Sequence, residues 1–169
     1  MSRLFHAILE VVLLCIYDNQ NCSIACTLEL VGERWTMLVL REAFLGRRRF
    51  DEYAERLGIA RNVLSARLAR LVEEGVLAKV RYQERPERFE YRLTDKGLDL
   101  WPVLFALMRY GDRHYAPDGP PMVVTHRGCG GELTDRRACA RCGAELTVAD
   151  VQARPGPGAV LSAAAPAAG

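Results

Sequence analysis

Between Leu64 and Gly97 the chain reads LSARLARLVEEGVLAKVRYQERPERFEYRLTDKG, and this order leaves few folds open. The spacing predicts a helix from about Arg61 to Glu74, with Leu64, Leu68, Leu71 and Val72 on one buried stripe. Arg61, Asn62, Ser65, Ala66, Arg67 and Arg70 fall on the remaining surface, and Gly75 ends the helix. Two alternating strands follow. Alternation puts Val80, Tyr82, Phe89, Tyr91 and Leu93 on one side of a ribbon, and Lys79, Arg81, Arg88, Glu90 and Arg92 on the other. Pro86 cannot donate to a strand ladder, so it belongs at the tip.

The upstream residues supply helices at regular intervals. Ser23 is placed to cap a helix through Val31, with Ile24, Thr27, Leu28 and Val31 on its apolar face. A second helix, Glu33 to Leu45, buries Trp35, Leu38, Val39 and Phe44 and stops at Gly46. A third spans Phe50 to Leu57, and Gly58-Ile59-Ala60 forms the short turn of a helix-turn-helix. Downstream, Thr94 caps a long helix reaching about His114, striped by Leu98, Trp101, Leu104, Phe105 and Met108 and kinked at Pro102. The expected fold class is therefore mainly α with a small β-wing, a winged helix-turn-helix that presents one helix to a DNA major groove.

Net charge is only +2, but the charge is segregated. Residues 1–40 carry two basic and four acidic side chains, residues 41–92 thirteen and nine, and residues 93–169 eight of each. The positive excess thus coincides with the helix and ribbon, where phosphate neutralisation requires it. Asn pairs with adenine and Arg with guanine through two hydrogen bonds, each pair contributing about 1–3 kcal/mol of discrimination. Arg61, Asn62, Ser65, Arg67 and Arg70 are the candidate base and phosphate contacts on the helix. Arg85 and Arg88 suit a minor groove or a phosphate run from the wing, and Arg49 suits a backbone phosphate.

The landmarks from Asn21 to about Tyr115 resemble the HxlR-type winged helix regulators of bacteria. They are Cys22 before a short helix, Gly32-Glu33-Arg34-Trp35-Thr36, Arg41-Glu42, Arg49-Phe50, Leu64-Ser65-Ala66-Arg67-Leu68, Glu74-Gly75-Val76, the wing with Glu90-Tyr91, and Leu93-Thr94-Asp95-Lys96-Gly97. The resemblance implies a cytoplasmic homodimeric transcription regulator, paired through its terminal helices, acting on double-stranded DNA at a palindromic operator. Ala60 stands where the family often has serine, so a helix cap is missing. Residues 1–20 lie outside the resemblance and read as an extension from an upstream start; their apolar run Ala7–Tyr17 suits a short packed helix. Cys22 occupies a position that senses oxidants in some members, and Cys26 could serve as its resolving thiol. The favoured reading is that both are small buried apolar side chains at a dimer seam.

A second constellation lies beyond the Pro117–Pro121 linker. His126-Arg-Gly-Cys129-Gly130 and Cys139-Ala-Arg-Cys142-Gly143 place four metal ligands in two x-x spaced pairs, each followed by glycine. This pattern describes a zinc ribbon, with His126, Cys129, Cys139 and Cys142 closing a tetrahedral structural zinc site. A redox Cys139/Cys142 dithiol, or three real ligands with His126 on the surface, would also fit the spacing. The expected organisation is an extension at 1–20, the DNA-binding and dimerisation domain at 21–115, a zinc-ribbon-like unit at 122–148 and a disordered Ala/Pro/Gly tail at 154–169.

An enzyme is not expected. His6, His114 and His126 have no nucleophile at a telling spacing, and no phosphate-binding glycine loop appears. No membrane span is expected. A small-molecule effector in a pocket between subunits beside Trp35, Trp101 and Phe105 is left open but unsupported, since such residues are more often core or dimer seam. The alternative function is a protein-interaction module, with the ribbon docking a partner and the winged helix as scaffold.

Overall fold

The computed structural model describes residues 22–157; the Ala7–Tyr17 segment and the tail beyond residue 157 lie outside the described residues. The chain divides into two compact units, one ending at Leu98 and one beginning at Asp99.

The first unit contains α1 (Ser23–Val31), α2 (Thr36–Phe44), α3 (Phe50–Leu57), α4 (Arg61–Glu73), β1 (Leu77–Gln83), β2 (Arg88–Leu93) and the short α5 (Asp95–Leu98). Its core is made by Val39 and Leu40 of α2, Tyr53 of α3, Leu64, Leu68 and Leu71 of α4, and Val76 and Leu77 leading into β1. These are the positions that a 3.6-residue period places on single faces. α3 ends at Gly58 with φ 60°, a left-handed conformation that glycine adopts at little cost, and the chain turns from there into α4.

The wing is a two-stranded antiparallel sheet with a different face pairing from the one alternation alone suggested. Lys79 lies opposite Tyr91, Val80 opposite Glu90 and Arg81 opposite Phe89, so Phe89 and Tyr91 share their face with lysine and arginine, and Val80 shares its face with Glu90. Glu90 is buried, not solvent-facing as expected. A third segment explains it: Arg49 bridges to Glu90, and the Tyr91 amide donates to the Arg48 carbonyl at 2.7 Å. That extra edge covers the Glu90 side, and Arg92 neutralises the carboxylate from the same face, its Nε 2.6 Å from Oε1.

Other departures follow from competing local chemistry. The cap of α1 is Cys22, with Ser23 already helical, so the expected serine cap is not formed. The Ile24 and Leu28 face of α1, expected to be buried, is 71% and 50% exposed, whereas Ala25 and Val31 point inward. Trp35, the residue capping the start of α2, is only half-buried, with Arg34 lying 5.3 Å from its ring centre. The long helix expected from Thr94 is interrupted at Asp99-Leu100, and Pro102 stands in the first turn of the next helix, where a missing amide goes unnoticed. Thr94 does cap α5: its hydroxyl accepts the Gly97 amide at 3.1 Å and donates to the Gly75 carbonyl at 2.6 Å.

The second unit is α6 (Trp101–Tyr115) with β3 (Met122–His126), a 3₁₀ turn (Val148–Asp150) and β4 (Val151–Pro155). β3 and β4 pair antiparallel, from Met122 opposite Pro155 to His126 opposite Val151. The ribbon thus extends past the expected limit at residue 148, and Arg154, expected in the tail, is in a strand and bonded to Glu132 at 2.9 Å. Phe105 of α6 forms one core with Val124, Leu133, Cys139, Leu146 and Val151. Trp101 stacks beside Phe105 at 5.8 Å and packs onto the same core. Asp135 ties the ribbon to α6 through Arg109 (2.8 Å) and Arg113 (3.2 Å).

Candidate nucleic-acid interface and metal centre

α4 is a helix with two chemistries. Leu64, Leu68 and Leu71 hold its underside in the core, while Asn62, Ser65, Ala66 and Ala69 on the outer face are exposed. Among the described residues, Asn62 and Ser65 have no side-chain partner, so their hydrogen-bonding groups are available to a ligand. Arg61 is exposed as well, lying 4.7 Å from the Phe50 ring centre and 3.0 Å from Asp51. That pair is open to water, where an ion pair contributes about 0–1 kcal/mol, so a phosphate can displace it. Arg67 is differently placed. It is half-buried, reaches Glu33 at 3.0 Å, and its Nε is enclosed, which makes it a tie between α4 and the α1–α2 turn. Arg70 is exposed near the end of the helix, shared between Glu73 (3.2 Å) and Glu74 (2.7 Å).

α4 begins at Ala60 without a side-chain cap. Ala60 has φ −58° and ψ 134°, an extended geometry that serine adopts readily. Ala60→Ser is expected to raise stability by about 1 kcal/mol in urea denaturation, through a hydroxyl bond to an amide of the first turn.

The approach to α3 is pinned. Glu52 accepts the amides of Arg48 (2.8 Å) and Arg49 (2.9 Å), and these bonds hold its carboxyl below the usual range, assisted by the Arg49 and Arg47 charges. Tyr53, buried, donates to the Arg47 carbonyl at 2.8 Å. Arg49 projects over the Tyr82 ring at 4.8 Å, which sets it against the wing. Arg85 and Arg88 are exposed at the wing tip, where Pro86 follows a cis bond. The structure thus gathers Arg49, Arg61, Asn62 and Ser65 on exposed surface of one unit, adds Arg85 and Arg88 from the wing, and engages Arg67 internally. Lys79 lies 4.1 Å above the Phe89 ring, a position that follows from the observed face pairing and not from alternation.

Cys22 is a free, half-buried thiol at the start of α1. Cys26 is exposed and disulfide-bonded, so in this structure it is not a free partner for Cys22.

The second unit brings His126, Cys129, Cys139 and Cys142 together, their ligand atoms all within 4.8 Å of one another. Two matching turns achieve this. The Gly130 amide donates to the His126 carbonyl and the Gly143 amide to the Cys139 carbonyl, each at 2.8 Å, with φ 70° and 73° at the two glycines. The sulfurs of Cys129 and Cys139 are 3.3 Å apart and those of Cys129 and Cys142 3.7 Å; His126 Nδ1 is 3.2 Å from Cys129 and 3.5 Å from Cys142. A tetrahedron with bonds of about 2.3 Å to sulfur has edges of about 3.8 Å, so the four atoms already lie near its corners. Burial works against a Cys139 thiolate, yet the amides of Cys142 and Arg141 and the Cys129 thiol outweigh it and bring the group down to about 6. Cys129 is shifted the opposite way: the Gly131 amide favours its thiolate, but the neighbouring thiols and burial prevail. Three crowded sulfurs cannot all be anionic without a cation among them. The donor set therefore fits a metal ion.

Gly131 is required here by close approach. A Cβ at that position would lie 2.5 Å from the Cys139 sulfur and 2.6 Å from the Arg141 Cβ. Among the described residues, no helix is long and apolar enough to cross a membrane.

The model of the HxlR-like helix-turn-helix family matches residues 30–118. An HTH-type transcriptional regulator of Mycobacterium tuberculosis, Rv3095, is 50% identical over 137 residues, covering 80% of this chain and 87% of its own. Among solved structures, PA1607, a candidate transcription factor, is 37% identical, covers 80% of this chain and 96% of its own, and superposes with a TM-score of 0.65. The redox regulator HypR in its oxidised form is 26% identical over 55% of this chain and 97% of its own, with a TM-score of 0.52.

Proposed function

Because the chain belongs to the HxlR-like helix-turn-helix family, we propose that it is a transcription regulator which reads double-stranded DNA as a homodimer through α4 and the wing. The observation that carries this reading is the outer face of α4. Its small and polar side chains, Asn62, Ser65, Ala66 and Ala69, are exposed without internal partners beside Arg61, as a helix entering a major groove requires. Arg49, Arg85 and Arg88 contact phosphates around it. Dimerisation is supported by apolar side chains that each unit leaves in water: Ile24 and Leu28 on α1, and Val103, Leu107 and Tyr110 on α6. Two copies of α4 then address half-sites about 34 Å apart on a palindrome. The metal of the ribbon is zinc, held structurally by four protein ligands with no position open for chemistry.

Gel shifts at a stated salt concentration, with the DNA upstream of the chain's own gene, test the reading. Asn62→Ala with Arg61→Ala is expected to lower specific affinity about 30- to 20,000-fold, following about 1–3 kcal/mol for each of two base contacts, with circular dichroism unchanged. Equal, weak binding of wild type and variant to any DNA would overturn it.

A further inference from the structure

The three sulfurs of the ribbon are not equivalent. Cys142 is exposed and Cys129 half-buried, whereas Cys139 is 2% exposed and belongs to the core with Phe105, Val124 and Leu133. Its sulfur also fills the space that the missing Gly131 side chain leaves. A reagent arriving from water therefore meets Cys142 first, and the nearest accessible partner sulfur is Cys129, 3.7 Å away.

We propose that the cluster is an oxidant-responsive site, in which a hydroperoxide joins Cys142 to Cys129 as a disulfide and expels the metal. The proposal rests on the reading of the cluster as a zinc site. In the first step the Cys142 thiolate attacks one peroxide oxygen. The O–O bond breaks, Cys142 becomes a sulfenic acid, and the other oxygen leaves as an alcohol after taking a proton. In the second, the Cys129 thiolate attacks the Cys142 sulfur, forming the S–S bond and releasing hydroxide, which takes a proton and leaves as water. Two electrons pass from the sulfurs to the peroxide, and two protons are consumed. The sulfurs must close from 3.7 Å to about 2.05 Å. The left-handed glycines after each pair keep both turns tight enough for so short a movement. His126 and Cys139 are then the only ligands left. Two ligands do not close a tetrahedral site, and the ion departs. The site is distinct from Cys22 and Cys26, which belong to the other unit.

The test uses the full chain purified under reducing conditions, with its metal content measured first. Cumene hydroperoxide is added beside a coloured zinc chelator, and thiols are then alkylated and mapped by peptide mass spectrometry. Release of one zinc per chain is expected together with a linked peptide pair carrying Cys129 and Cys142, lighter by two hydrogens. Dithiothreitol with zinc should restore the starting state. Cys142→Asp retains a metal ligand but no oxidisable sulfur, and is expected to hold its zinc through the same treatment. If that variant does not fold, the wild-type map decides alone. Zinc retained at saturating hydroperoxide with Cys129 and Cys142 still alkylatable overturns the proposal, as does a disulfide confined to other cysteines. Protein that carries no metal at the outset rejects the zinc reading, and with it metal release; the map then decides separately whether the two sulfurs pair.

Discussion

Removing the metal with a chelator is expected to melt the 99–157 unit while the 22–98 unit stays folded. Six buried side chains form the core of the former, and one of them is Cys139 itself. So small a core cannot offset the ordering of about sixty residues without a further cross-link. Structural zinc supplies apparent binding energies of about 10–16 kcal/mol in zinc-finger-sized sites, so its loss removes a contribution as large as that of the apolar core. The other unit is expected to have no such dependence, since Tyr53, Leu40, Leu64, Leu68, Leu71 and Leu77 are all fully buried in it. Limited proteolysis with and without chelator reads the outcome: cleavage should move into residues 99–157 and leave a resistant fragment ending near Leu98. A ribbon that stays resistant after metal loss would contradict the expectation.

Leu68→Ala is expected to lower the stability of the first unit by about 3–4 kcal/mol, the second large effect. Leu68 is fully buried at the middle of α4, with Leu64 one turn before it and Leu71 nearly one turn after. Truncation removes three carbons from water-free surroundings and leaves a cavity that a helix fixed at both ends cannot collapse onto. Domains of this size are commonly stable by only 5–15 kcal/mol, so the urea midpoint should fall steeply. Ala69→Ser, on the exposed face of the same helix, should shift it by less than about 0.5 kcal/mol. A loss below about 1 kcal/mol for Leu68→Ala would mean that α4 is not seated as described.

The helix α4 was legible because its signal is local: three leucines at helical spacing, a glycine at each end and no competing breaker. The clustering of His126, Cys129, Cys139 and Cys142 was legible for the same reason, since each pair is set by a single turn. What escaped was decided by distant partners. Glu90 alternates like a solvent-facing residue, and only the Arg49 edge, some forty residues upstream, encloses it. β4 lies in a Pro/Gly/Ala-rich stretch that looks like coil by composition, and β3 recruits it as a strand. Ile24 and Leu28 have a core-like period but no core beneath them, because a period states which residues share a face and not what covers it. The interruption before Pro102 was legible in kind but not in place: a proline two turns into a helix can equally be a proline in the first turn of a new one.

The division of α4 into a leucine underside and a small, unengaged outer face has a consequence for descent with modification. On the proposed function, substitutions at Asn62, Ser65, Ala66 and Ala69 change what the helix can recognise while leaving every enclosed contact in place. On that reading, copies of such a gene can drift from one set of target promoters to another without passing through an unfolded intermediate, one exposed side chain at a time.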